Sequence, residues 1–182
     1  MTITTDQGMV GAALLLARLA VGLGLAPHGA QKLFGWFGGY GLAGTGGFFE
    51  GLGFRPGRPF ALVAGLGELV GGLLLALGLF TPVGSALAIA VMTAAAVSVH
   101  WKEGFFAPKG IELPMIYATA AFLLAVTGPG LYSLDTLLGL ESFWTPTVAW
   151  GALAVGLAGG VLNLLAPELR RPPTNPARAE PV

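Results

Sequence analysis

The sequence contains no cysteine. That excludes disulfides, thiolate nucleophiles, and iron–sulfur or thiolate-zinc centres built by this chain alone. Histidine is nearly as scarce, with His28 and His100 the only two, so internal ligands for a metal are few and no metal site is expected. Charge is sparse as well. Asp, Glu, Lys and Arg make up 10% of the 182 residues, and they cancel to a formal net charge of +0 at pH 7; an ordinary soluble domain carries about 25% charged residues. The basic residues are scattered and leave no footprint for nucleic acid.

What is there is apolar. Hydrophobic residues are 54% of the chain and the mean hydropathy is +0.77. A hydrocarbon layer about 30 Å thick takes roughly 20 apolar helical residues to cross, so most of the chain is assigned to membrane spans. The expected fold is an all-α integral membrane protein, a four-transmembrane-helix bundle plus a fifth transmembrane helix. The spans are placed at residues 9–26, 59–79, 82–99, 111–126 and 147–165. The first apolar stretch follows no Lys or Arg and holds Arg18, so it is read as a retained helix and not a cleaved leader. Pro27-His28-Gly29 either ends it or lets it run one amphipathic turn to Lys32. An aromatic, glycine-rich segment follows, with a short interfacial helix expected near residues 47–52. Phe80-Thr81-Pro82 divides a long uncharged run into two spans, since proline suits the first turn of a helix. Residues 131–144 are read as interfacial, and residues 167–182, with five prolines, as a disordered cytoplasmic tail.

Charge asymmetry predicts orientation. With five spans, Lys32, Arg55, Arg58, Lys102, Lys109, Arg170, Arg171 and Arg178 share one side. The other side holds no Lys or Arg, so the positive-inside rule puts the amino terminus outside and the carboxyl terminus in the cytoplasm. Small residues recur at four-residue spacing as Ala86, Ala90, Ala94 and Ser98, and as Ala64, Glu68 and Gly72, faces that let helix backbones approach in lipid.

Two ionisable residues fall at comparable depth in the first two spans, Arg18 and Glu68. A charge at such depth costs roughly 2.5–3.5 kcal/mol on insertion scales, so each should face the bundle, and the two are expected to form an intramembrane ion pair. That pair is either a clamp on helix register or an anchor for a headgroup or a proton. Topology gathers a second group at one membrane face: His28, Lys32, His100 and Glu112. Together with Glu68 these are the candidate binding residues for a quinone or lipid headgroup, and equally they are interface anchors; histidine exchanges protons near neutral pH. Haem ligation by the two histidines is disfavoured, because both lie at interfaces. A solute permease is disfavoured too, for want of an internal repeat or a polar path.

The same residues occur in a recognisable order. Arg18 and Pro27-His28-Gly29-Ala30-Gln31-Lys32-Leu33 are followed by Glu68-Leu69-Val70-Gly71-Gly72 and Gly78-Leu79-Phe80-Thr81-Pro82. Then come His100, Gly104-Phe105-Phe106, Gly110-Ile111-Glu112, and Gly128-Pro129-Gly130-Leu131-Tyr132-Ser133-Leu134-Asp135. In this the chain resembles the DoxX family of small bacterial and archaeal membrane proteins, over residues 14–138. The resemblance implies a four-helix membrane domain over residues 1–140, an additional transmembrane helix over 141–166, and residence in a cell membrane. It also implies a membrane subunit of a quinone-linked redox complex concerned with thiosulfate, sulfur or oxidative stress. Quinone is then the implied cofactor. Electrons would come from a protein partner, so catalysis by this chain alone is not expected; no catalytic residue is assigned, and homo-oligomerisation is left open. The competing expectation is a non-catalytic scaffold or assembly factor for other membrane proteins.

Overall fold

A computed structural model describes residues 6–165; the tail expected over 167–182 lies outside the described residues. Seven α-helices and no strands are found among them. They are α1 (Gln7–Phe34), α2 (Gly41–Gly51), α3 (Gly57–Leu77), α4 (Thr81–Ala95), α5 (Glu112–Thr127), α6 (Leu134–Leu137) and α7 (Pro146–Leu165). The apolar stretches α1, α3 and α4 with its extension to Glu103 are long enough to cross a membrane, while α5 and Pro146–Leu162 of α7 are apolar but shorter. Their outer faces carry exposed Leu16, Leu23, Val63, Val155 and Leu162. A skin of aliphatic side chains is what a lipid-embedded surface requires. The protein is an all-α membrane protein.

α1 does not stop at Pro27. The Asp6 carboxylate caps its start, accepting from the Gly8 amide at 2.8 Å, and the helix runs through Pro27 to a left-handed Gly35 at φ 75. At about 1.5 Å per residue its 28 residues reach roughly 42 Å. It is therefore more than long enough for a span, and its last turns carry His28 and Lys32 beyond the apolar stretch. A proline inside a membrane helix is tolerated where neighbouring helices satisfy the freed backbone groups. Residues 34–58, read as mostly loop, contain the 11-residue helix α2.

α1 and α3 pack antiparallel through glycine. A Cβ at Gly22 would lie 2.4 Å from the Gly72 carbonyl oxygen, and one at Gly29 would lie 2.4 Å from the Leu69 amide nitrogen. No side chain larger than hydrogen fits at either place, so the backbones meet directly. α7 docks on α4 in the same manner, with Gly156 against Ala86 and Gly160 against Ala90 and Thr93. The stripe Ala86 and Ala90 thus serves the helix farthest along the chain. The interior between α1, α3, α4, α5 and α7 is filled by buried Leu25, Leu75, Ile89, Met92, Leu124 and Leu153.

α4 does not end as an α-helix. Its last turn widens to a π turn at Ala96–His100 and tightens again at Trp101–Glu103. The Ser98 hydroxyl bonds back to the Ala94 carbonyl there, a contact that bends helices.

Candidate functional site

The antiparallel pairing of α1 and α3 decides where the two intramembrane charges go. Gly29 sits beside Gly65 and Leu69, and Gly22 beside Gly72 and Ala76, so Glu68 is level with the end of α1 and Arg18 with the end of α3. Ten residues of α3 separate Glu68 from Gly78, which touches the Arg18 guanidinium; that is about 15 Å along the axis. The expected Arg18–Glu68 ion pair therefore does not form. Equal depth from each helix's own start was a poor guide because α1 overruns the span and shifts the register.

Arg18 instead joins a knot at the opposite end. Its side chain is fully buried and donates to the Tyr132 carbonyl, with the buried Asp135 carboxylate within electrostatic reach. Asp135 Oδ1 accepts from the Phe80 amide at 2.9 Å. Its Oδ2 accepts from the Thr81 amide at 3.1 Å and the Thr81 hydroxyl at 3.0 Å. The Asp135 amide in turn donates to the Gly78 carbonyl at 2.9 Å. Asp135 thus caps the start of α4, where backbone N–H groups have no helical partner. The tight turn it holds needs Gly78 at φ 61 and Phe80 at φ 46; the close approach of Arg18 leaves no room for a Cβ at Gly78. The chemistry here is structural: a segment read as merely interfacial fastens the α3–α4 hairpin.

Glu68 pairs with Lys32. The ammonium nitrogen lies 2.8 Å from Oε1 and 2.5 Å from Oε2, with the carboxylate side chain 4% exposed and the lysine 25%. It is the one ion pair within 4.0 Å among the described residues. Breaking such a pair by removing one partner leaves a bare charge in a poorly solvating place. The pair stands at the wall of a half-open cavity of about 360 Å³, whose other polar walls are His28, His100, Ser98 and Tyr117. His28 meets Tyr117 ring edge to ring face, centroids 6.4 Å apart. Most of the remaining lining is apolar, with Phe48 and Phe49 from α2, Phe54, Phe60, Val63 and Met92 among it. Gly159 and Gly160 of α7 form part of the wall.

Four of the five candidate binding residues, His28, Lys32, Glu68 and His100, thus face one cavity. Glu112 does not line it. Its carboxylate accepts from the Ala107 amide at 2.8 Å and so braces the loop before α5. His100 is held from the other side of that loop, its Nδ1 lying 2.5 Å from the Lys109 carbonyl oxygen. The sequence reading passed over Tyr117 and the phenylalanines. Tyr117 carried a signal, being the one polar aromatic in α5; Phe48 and Phe49 fell in a segment read as lying at the interface. No group of three His, Asp or Glu residues able to hold a metal ion occurs among the described residues.

Residues 13–101, from the second turn of α1 through the π turn, match the family model of DoxX. Over those residues the chain is similar to the DoxX family. No curated protein and no solved structure matches it. The DoxX match takes in His28, Lys32, Glu68 and His100 and ends one residue after the last of them. Tyr117, Glu112, Asp135 and the whole of α7 lie beyond it, as do the motifs from Gly104 onward.

Proposed function

We propose that this protein is a DoxX-family membrane subunit of a quinone-linked redox complex, and that its part is to hold the ring of a quinone-like molecule while electrons arrive from a protein partner. The observation that carries this reading is the chemistry of the cavity. A quinone is a flat apolar ring with polar oxygens at its edge and a hydrocarbon tail. A pocket with an apolar aromatic lining and a few convergent polar groups suits such a ligand. At about 360 Å³ the cavity has room for the ring, and the tail would leave through the open side into lipid. Lys32 has a third N–H beyond the two that reach Glu68, free for a ring oxygen.

In this reading residues 1–140 form the family-type four-helix unit and residues 141–166 add a fifth crossing. The amino terminus faces outward and the carboxyl terminus the cytoplasm of a bacterial or archaeal cell. The cavity then opens near the cytoplasmic face, where a soluble electron donor docks.

The test is extraction in mild detergent followed by mass spectrometry of co-purifying quinones, lipids and proteins, for wild type, Glu68→Gln and His100→Ala. Quinone enriched with wild type and reduced in either folded variant is the expected result. If no quinone accompanies any of the three and all retain the same partner proteins, the protein is a scaffold or assembly factor.

A further inference from the structure

The hydrogen bond from His100 to the loop fixes more than the ring's position. The Lys109 carbonyl can only accept, so Nδ1 of His100, 2.5 Å away, must carry the proton. In the neutral ring Nε2 is then bare, and it offers a lone pair where His100 lines the cavity. Among the described residues no hydrogen bond to His100 Nε2 is found, since the one His100 side-chain contact uses Nδ1. The carboxylate oxygens of Glu68 differ in being already engaged, each accepting from Lys32. His100 Nε2 is therefore an acceptor at the wall that no donor among the described residues fills.

That arrangement discriminates between ligands. A quinone ring has acceptor oxygens only, so the end that meets His100 faces a second lone pair and loses the water that had paired it. A ring bearing a hydroxyl donates to Nε2 and still accepts, through the same oxygen, from a nearby N–H. Burying a polar atom without a partner is the more expensive outcome. We infer that the cavity selects hydroxyl-bearing amphiphiles, and of a quinone couple the reduced quinol, with His100 Nε2 as the residue that sets the preference. The inference rests on the proposal that the cavity is a quinone site and adds which redox form it holds.

Equilibrium binding to the full chain in lipid nanodiscs tests it, with empty nanodiscs as the control for partitioning. The probes are a decyl-chain benzoquinone and the corresponding quinol, the latter kept reduced without oxygen. Wild type should bind the quinol roughly threefold to tenfold more tightly, the span expected of one net hydrogen bond. His100→Phe, which keeps a ring and removes the acceptor, should bind both forms alike at about the wild-type quinone affinity. Equal binding of the two forms by wild type overturns the preference and leaves the quinone site standing. So does a preference that survives in His100→Phe. Binding of neither form overturns the quinone site, and this inference with it. Should His100→Phe fail to fold, ¹⁵N spectra of histidine-labelled wild type decide the premise, with His28→Asn assigning the two rings. His100 must show a protonated Nδ1 and a bare Nε2, and the opposite tautomer overturns the inference.

Discussion

The Lys32–Glu68 pair has consequences at the scale of single residues. Lys32→Met would strand a carboxylate that is 4% exposed, and the loss should be large, about 3–5 kcal/mol, as for other broken buried pairs. Adding Glu68→Met should recover most of it, because two apolar side chains need no partner. Thermal unfolding in detergent checks both, and a double variant no more stable than the single would refute the pairing. Asp135→Ala should also destabilise, since it removes three hydrogen bonds to Phe80 and Thr81 and the charge facing Arg18. Its thermal midpoint should fall further than that of Glu141→Ala, a surface control. The sequence made both buried charges legible as groups that need company, but not their partners. Arg18 and Glu68 were matched by depth, whereas the glycines that set the slide of α1 along α3 act through close contacts that no residue count reveals.

At the scale of elements, the apolar runs announced the helices well, because lipid demands long uninterrupted stretches with every backbone group satisfied internally. The expected spans at residues 59–79, 82–99, 111–126 and 147–165 each coincide with a helix to within a few residues, aside from α4, which widens into its π turn before residue 99. α2 was only half legible: glycine-rich composition hides a helix that leans on Lys32 and Arg58 for its place. The Thr45 hydroxyl reaches the Lys32 carbonyl at 3.5 Å, and Gly46 lies against the Arg58 backbone. The docking of α7 on α4 was not legible, although the alanine stripe that receives it was. Gly156→Leu should undo that docking, because its first side-chain carbon would fall 2.5 Å from the Ala86 carbonyl oxygen. We expect a lower thermal midpoint and faster protease cleavage in residues 139–146. Gly151→Leu, where a Cβ meets nothing within 4 Å, should leave both unchanged.

For the whole molecule, the absence of cysteine makes topology open to direct measurement. In the proposed orientation, Ser142→Cys should react with a membrane-impermeant maleimide added to intact cells. Lys102→Cys should react only after the cells are opened. The reverse pattern would turn the molecule over and put the cavity mouth on the outer face. The candidate site was legible to the extent that His28, Lys32 and His100 were grouped, since the ends of alternate spans must share a membrane face, and that Glu68 was singled out by its depth. The cavity between them, and the exclusion of Glu112 from it, depended on the course of the loop at 104–111, which composition does not encode.

The π turn at Ala96–His100 has an implication for the placing of His100. An α-helix advances each residue by about 100°, and a π turn is the trace of one residue more than that winding accommodates. The station of His100 at the cavity is therefore set by a count as much as by an identity. Winding the same five residues as an ordinary α-helix would swing the imidazole roughly a quarter turn around the axis. A change of winding that alters no side chain would then turn the histidine from the cavity wall, so the wide turn is as much a part of the site as the imidazole it carries.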